Sequence, residues 1–253
     1  MSIKFAVRSE VGRVRTNNED NFFCNGIFMT SAERDKPFFM NGMTNTPCVF
    51  AVFDGMGGED CGELASLTAA ETLAERFMGT KNFDVYNYVS DVNNKICSIM
   101  DSQNIRMGTT MALAVVNDNS FMCYNLGDSR IFKLVNDRVI RVSDDHTVAE
   151  DKVRMGLMTA AKAERSRERH ILTRYLGMRD KFSWAPDSYG PLTFDETRRI
   201  LLCSDGLTEM VSYRDINLIV KDSADVVECV NKLVETALNN GGVDNVTCVV
   251  IEA

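Results

Sequence analysis

Histidine is scarce in this chain of 253 residues: there are two, His146 and His170. Its eight cysteines include no CxxC pair, and no apolar run approaches the ~20 residues of a membrane span. No dense basic tract occurs either; the nearest is the mixed stretch AKAERSRERH at 161–170. These gaps exclude classes of function. Scattered cysteines and two histidines make neither a zinc site nor a disulfide framework. Several cysteines sit inside apolar runs (SFMCYNL, LLCSD, VTCVV), the setting of reduced, buried thiols. A formal net charge of −8 argues against general binding to nucleic acid or anionic membrane. The first residues, MSIKFAVRSE, are too short and too charged for a signal peptide. An intracellular, cytoplasmic protein is the expectation.

What is present reads as a globular chain. IKFAVRS and NFFCNGIFM have strand character, and residues 30–47 read as a long hairpin loop of polar and turn residues. CVFAVFD (48–54) is nearly continuous in apolar residues, as a strand buried on both faces must be. Ala65, Ala69, Leu73 and Phe77 fall four apart and predict a helix; Val85, Val89, Val92, Ile96 and Ile99 predict another. The period then shortens, and 108–143 reads as a strand meander broken by NDN, GDS and ND turns. Residues 144–170 are polar and partly helical in pattern. RRILLCSDG (198–206) predicts an apolar strand ending in Asp-Gly, ADVVECVNKLVETALNNGG an amphipathic helix with a glycine stop, and NVTCVVIE a final strand. Strands and helices are segregated rather than alternating, which predicts an α+β fold. No repeat, linker or low-complexity tract divides the chain, so one domain over 1–253 is expected.

Four aspartates fall where a strand is expected to meet a turn: Asp54 in FDGMGG, Asp128 in LGDSR, Asp205 in CSDGL and Asp244 in GVDNV. VRTNNEDN adds Arg15, Glu19 and Asp20. Aspartate favours turns because its side chain caps local N–H groups, and any one of these alone is explained that way. As a set they would emerge at the rim of a packed sheet, and Gly55 and Gly206 let the backbone approach whatever the carboxylates hold. Converging carboxylates repel unless cations lie between them. Oxygen-only ligands select hard ions, Mg²⁺ or Mn²⁺. Two such ions bridged by one carboxylate generate hydroxide at neutral pH and clamp an in-line displacement, and a nearby arginine holds phosphate in fork geometry. The chemistry read from these residues is metal-assisted phosphoester hydrolysis.

VRTNNED, VFDGMGG, GTTMALAVV, NLGDSRIF, DDHTVAE, ILTRYLG, LLCSDGL and GGVDNVT follow one another in an order and spacing that resembles the metal-dependent protein phosphatases of type 2C (PPM), in their compact bacterial form. The resemblance spans about Val7 to Ile251. It implies a four-layer α/β/β/α sandwich, two antiparallel sheets face to face and flanked by helices, with the metal site in a cleft at one edge. It implies a protein serine/threonine phosphatase acting by direct attack of a metal-bridging water or hydroxide, with two core Mn²⁺ or Mg²⁺ ions and a third. Arg15 would bind the substrate phosphate. Asp54 would bridge the core metals, Asp205 and Asp244 would hold the first with it, and the Gly55 carbonyl and Glu19 would serve the second. Asp20 would order metal-bound waters, and Asp128 would join Asp205 at the third ion. Residues 144–170 fall at a mobile flap. The partners implied are phosphorylated proteins and a cognate Ser/Thr kinase, with the phosphatase itself a monomer.

Other readings compete. VFDG is similar to the haloacid-dehalogenase phosphatases, but their second aspartate is here Met56, and parallel alternation is missing. A catalytically dead binding module is disfavoured because Arg15, Asp54, Asp205 and Asp244 are all present. A phosphatase for a small metabolite stays open, since 30–47 and 144–170 would set substrate choice. Neither histidine is assigned a catalytic role. Asn245 is read as a turn residue and Cys203 as packing.

Overall fold

The computed structural model describes residues 1–57, 61–180 and 184–253, so Gly58 of the VFDGMGG motif lies outside the described residues. The chain opens with β1 (Ser2–Glu10), β2 (Asp20–Cys24), β3 (Phe38–Asn45) and β4 (Cys48–Gly57), then α1 (Gly62–Arg76) and α2 (Val85–Gln103). A meander follows: β5 (Met107–Thr109), β6 (Met111–Asn117), β7 (Ser120–Leu126), β8 (Arg130–Val135) and β9 (Arg138–Arg141). Then come α3 (Val148–Arg154), α4 (Ala160–Ala163) and a short three-ten helix (Arg167–His170). The last third holds β10 (Asp187–Thr193), β11 (Arg199–Cys203), α5 (Asp205–Met210), α6 (Tyr213–Asp222), α7 (Val226–Asn239) and β12 (Val246–Glu252).

The strands form two sheets. One runs β3-β1-β12-β11-β8-β9; the other runs β10-β7-β6-β4-β2, with β5 paired to the end of β4. Every pairing is antiparallel. The two-residue period of a strand explains why the central strands are mostly apolar, since both faces are covered. In β4, Phe50 and Val52 enter the core between the sheets, while Val49, Ala51 and Phe53 face a second core under α1 and α2. In β11, Ile200 and Leu202 face the other sheet, while Leu201 and Cys203 face a third core with α6 and α7. Three apolar layers therefore separate four structural layers, α/β/β/α.

The helices start where side chains satisfy free N–H groups. Asp84 accepts from Asn87 N at 3.1 Å before α2, and Asp225 accepts from Glu228 N at 2.8 Å before α7. The apolar stripes fall as spaced: Ala65, Ala69 and Leu73 in α1, and Val85, Val89, Val92 and Ile96 in α2, are buried. Phe77 and Ile99 pack at the margins.

Two expectations change. The stretch expected as a hairpin loop, 30–47, contains β3, an edge strand pairing with β1 alone, whose residues alternate between half-buried and exposed. The strand expected over 21–29 stops at Cys24, because Asn25 and Gly26 take φ of 48° and 104° and turn the chain. Beyond these, β10, α5 and α6 add to the elements read from the sequence.

Candidate active site

A cleft of about 690 Å³ opens along one edge of the sandwich, lined by Arg15, Glu19, Asp54, Gly55, Asp128, Asp205 and Asp244. Seven of the eight residues singled out from the sequence meet there. The eighth, Asp20, does not line the cleft. It is 2% exposed, and it pairs in register with Asp54 on the neighbouring strand.

The acids arrive by different routes from those expected. Asp54 does not end its strand: β4 continues through Gly57 and pairs Gly55 with Thr109 and Met56 with Gly108. The Asp54 backbone is held on both sides, its N–H donating to Thr110 Oγ1 at 3.0 Å and its carbonyl accepting from Thr110 N at 2.9 Å. Thr110 Oγ1 lies 2.6 Å from Ser129 Oγ, which ties this strand to the turn carrying Asp128. Gly55 donates its N–H to the Glu19 carbonyl at 3.1 Å. A Cβ on Gly55 would lie 2.2 Å from the Gly62 carbonyl oxygen and 2.4 Å from that of Glu19, so the glycine is required by protein backbone as well as by any ligand. Asp205 opens α5 rather than a turn, after the cap residue Ser204. Ser204 Oγ donates to Asp20 Oδ2 at 2.7 Å and accepts from Thr247 N at 3.0 Å, joining both sheets behind the cleft.

Asp244 precedes β12 and accepts from Arg15 Nη2 at 2.8 Å, with half of the arginine side chain exposed. Asn245 does more than order a turn. Its Nδ2 donates to the carbonyls of Val11 and Asn17, and its Oδ1 accepts from Glu19 N at 2.8 Å, so it locks the Arg15–Glu19 loop to the Asp244 loop. His146 is a positioning residue: its Nδ1 accepts from Gly127 N at 3.0 Å, next to Asp128. Burial holds His146 below its ordinary pKa.

The electrostatics are those of uncompensated negative charge. Burial, and then the charges of Asp20, Asp205 and Asp128, push Asp54 well above the carboxylate range. Burial followed by Asp205 does the same to Asp128. Asp205 is pushed up to about 7 by burial, then by Glu209 and Asp244, and Asp20 to about 7 by burial. Glu19 is raised by burial and by Glu63. Carboxylates that raise one another in this way, with oxygen donors throughout, fit hard divalent cations and do not fit a soft-metal site. Glu209 and His170, which also line the cleft, were not among the residues expected there. Glu209 follows Asp205 by four residues, a spacing that signals proximity once SDGLTEM is read as a helix start. An adjoining groove of about 850 Å³ shares Met56 and Tyr175, but Asp101 is its one acid among the described residues.

Fold and cleft together define a class: a four-layer α+β sandwich with carboxylates from both sheets gathered at one edge. The protein phosphatase 2C family matches residues 7–246, and the chain belongs to that family. It is similar to protein phosphatase PhpP of Streptococcus pneumoniae, 29% identical over 98% of this chain and 97% of the relative. The solved serine/threonine phosphatase PstP/Ppp of Mycobacterium tuberculosis is 27% identical, with a TM-score of 0.81 over 100% of this chain and 99% of that one. The PstP catalytic domain solved in complex with two manganese ions is 27% identical, with a TM-score of 0.77 over 100% of this chain and 99% of that one.

Proposed function

We infer that the chain is a metal-dependent protein serine/threonine phosphatase, and that the cleft is its active site. The observation that carries the reading is the convergence of Glu19, Asp54, Asp128, Asp205 and Asp244 on one cleft, with the guanidinium of Arg15 at its mouth. Asp54, Asp205 and Asp244 would hold one cation, Asp54, Glu19 and the Gly55 carbonyl a second, and Asp128 with Asp205 a third. Mn²⁺ or Mg²⁺ suits this donor set, and the similar PstP domain carries two manganese ions. When bound, such ions activate water as the nucleophile and neutralise the phosphoryl oxygens.

The protein's own groups do the rest. Arg15 orients the phosphate through two parallel N–H donors. Thr110, Ser129 and Asn245 fix the carboxylates so that no reorganisation is needed during reaction. Asp20, buried beside Asp54 on the neighbouring strand and held by Ser204, is a positioning residue. Residues 144–170 act as the flap beside the cleft and, with 30–47, select among phosphorylated proteins, the products of a Ser/Thr kinase. The reading takes the phosphatase as a cytoplasmic monomer with a single domain over 1–253. Among the described residues no helix is long and apolar enough to cross a membrane.

Phosphoserine, phosphothreonine and phosphotyrosine peptides, assayed with Mn²⁺ and with a chelator, test the reading. Phosphoserine and phosphothreonine turnover is expected with Mn²⁺ and absent with chelator, and Asp54→Asn should lower it by roughly 10²–10³-fold. Turnover that survives chelation, or an Asp54→Asn enzyme near wild-type rate, would sink it.

A further inference from the structure

His170 enters the cleft from the three-ten helix at the end of residues 144–170. Its Nδ1 lies 2.9 Å from Glu209 Oε1. Glu209 stands one helical turn after Asp205 on α5, so both carboxylates leave the same face. One ligand atom each of His170, Asp205 and Glu209 falls within 4.8 Å of the others. The imidazole is placed by its neighbours in the chain. Val148 N donates to the Ile171 carbonyl and Thr173 N to the His146 carbonyl, both at 2.9 Å, while Lys152 pairs with Glu168 at 2.5 Å. Arg169 also reaches Glu209, at 3.5 Å, too long to hold that oxygen firmly.

This donor set differs in kind from the oxygen-only core. An imidazole with two carboxylates favours first-row transition ions, whereas Mg²⁺ prefers oxygen. A divalent ion bonded to all three at ~2.0–2.2 Å is reached by small side-chain movements from the observed separations. We propose that His170, Asp205 and Glu209 form a nitrogen-containing cation site that takes Mn²⁺ or Zn²⁺ in preference to Mg²⁺. Filling it pins the three-ten helix, and with it the segment beside the cleft, to α5. The site shares only Asp205 with the core proposed above and rests on that reading no further.

Pulsed EPR of the Mn²⁺-loaded protein tests the proposal, because nitrogen ligation leaves ¹⁴N modulation on the echo. His146 is no source of it: that ring is buried, with Nδ1 on Gly127 N and Nε2 facing Asp187 and Arg174. Wild type should show coupling to one imidazole. His170→Gln should lose it and bind one Mn²⁺ fewer, and Glu209→Gln should weaken that ion's affinity by roughly tenfold or more. Asp54→Asn should keep the coupling while losing core ions; if it instead loses no ions, the core reading fails and this site stands. Absence of ¹⁴N modulation at Mn²⁺ saturation, or its persistence in His170→Gln, would mean that His170 and Glu209 form a plain hydrogen bond. Displacement of the coupled ion by equimolar Mg²⁺ would overturn the preference. Mn²⁺ should also slow proteolysis within 160–170 in wild type and not in His170→Gln; equal protection in both would overturn the pinning.

Discussion

Met56 stands half-buried in the cleft, two residues after Asp54. Its thioether has no proton to give. A positioned general acid contributes ~10²–10⁴-fold, and most for a poor leaving group such as a serine alkoxide. Met56→His should therefore raise turnover of alkyl phosphates relative to aryl phosphates, with the gain fading above the pKa of the new imidazole. An unchanged alkyl-to-aryl ratio between pH 5 and 9 would make Met56 a wall of the cleft and nothing more. Arg15 has a different signature. It touches Asp244 from an exposed position and contributes no ligand oxygen. Arg15→Ala should raise KM for phosphate esters about tenfold or more while metal affinity stays nearly unchanged, measured by steady-state kinetics and calorimetry. A collapse of metal binding would give Arg15 a structural role instead. At this scale the sequence was informative about which acids matter, because aspartates next to apolar runs and glycines are visible as letters. It was uninformative about Thr110, Ser129 and Asn245, whose work is done by hydrogen bonds across long chain separations.

Helix α5 shows how an element sharpens a residue. Gly206 lies inside it, where alanine would ordinarily gain about 0.5–1 kcal/mol. A Cβ there would sit 2.0 Å from the Asn245 carbonyl oxygen, which is backbone and cannot step aside. Overpacking of that sort costs about 1–3 kcal/mol, so the clash wins. Gly206→Ala should lower stability by about 1–2 kcal/mol in urea titration and loosen Asp205, despite its better helix propensity. Stability equal to or above wild type would show that the Asn245 loop yields. The same element marks the boundary of what was legible. Long apolar runs within β4, β11 and β12 were readable because burial on both faces leaves few polar residues in them. Edge strand β3 was not, since its exposed positions carry Phe39, Asn41 and Met43 and its glycine at 42 is set by the Phe5 ring 3.1 Å from where a Cβ would stand. Short α5 follows a strand directly, and Asp-Gly reads as a turn until Ser204 is recognised as a cap.

Across the whole molecule the raised acids tie stability to pH. A carboxyl whose folded pKa is raised favours the fold while protonated. That contribution is complete below the unfolded value near 3.8 and is lost as pH rises through the folded value, about 7 for Asp20 and Asp205, with Asp54 and Asp128 raised in the same direction. The metal-free protein should therefore show a thermal midpoint that falls from pH 5 to pH 8. Mn²⁺ or Mg²⁺ should restore it, with a larger shift at pH 8 than at pH 5, because cations bind the ionised form. A flat metal-free profile in scanning calorimetry, with equal metal shifts at both pH values, would mean that the carboxylates do not crowd as their positions indicate.

Strand β12 runs between β1 and β11, and Asp244 immediately precedes it, facing an arginine 229 positions earlier in the chain. A polypeptide still on the ribosome before residue 252 has therefore made nearly every acid of the cleft, yet it lacks the strand that joins the opening of the chain to β11. Such a nascent chain is expected to be silent until β12 inserts, and copies clipped before β12 are expected to erase no phosphoryl marks.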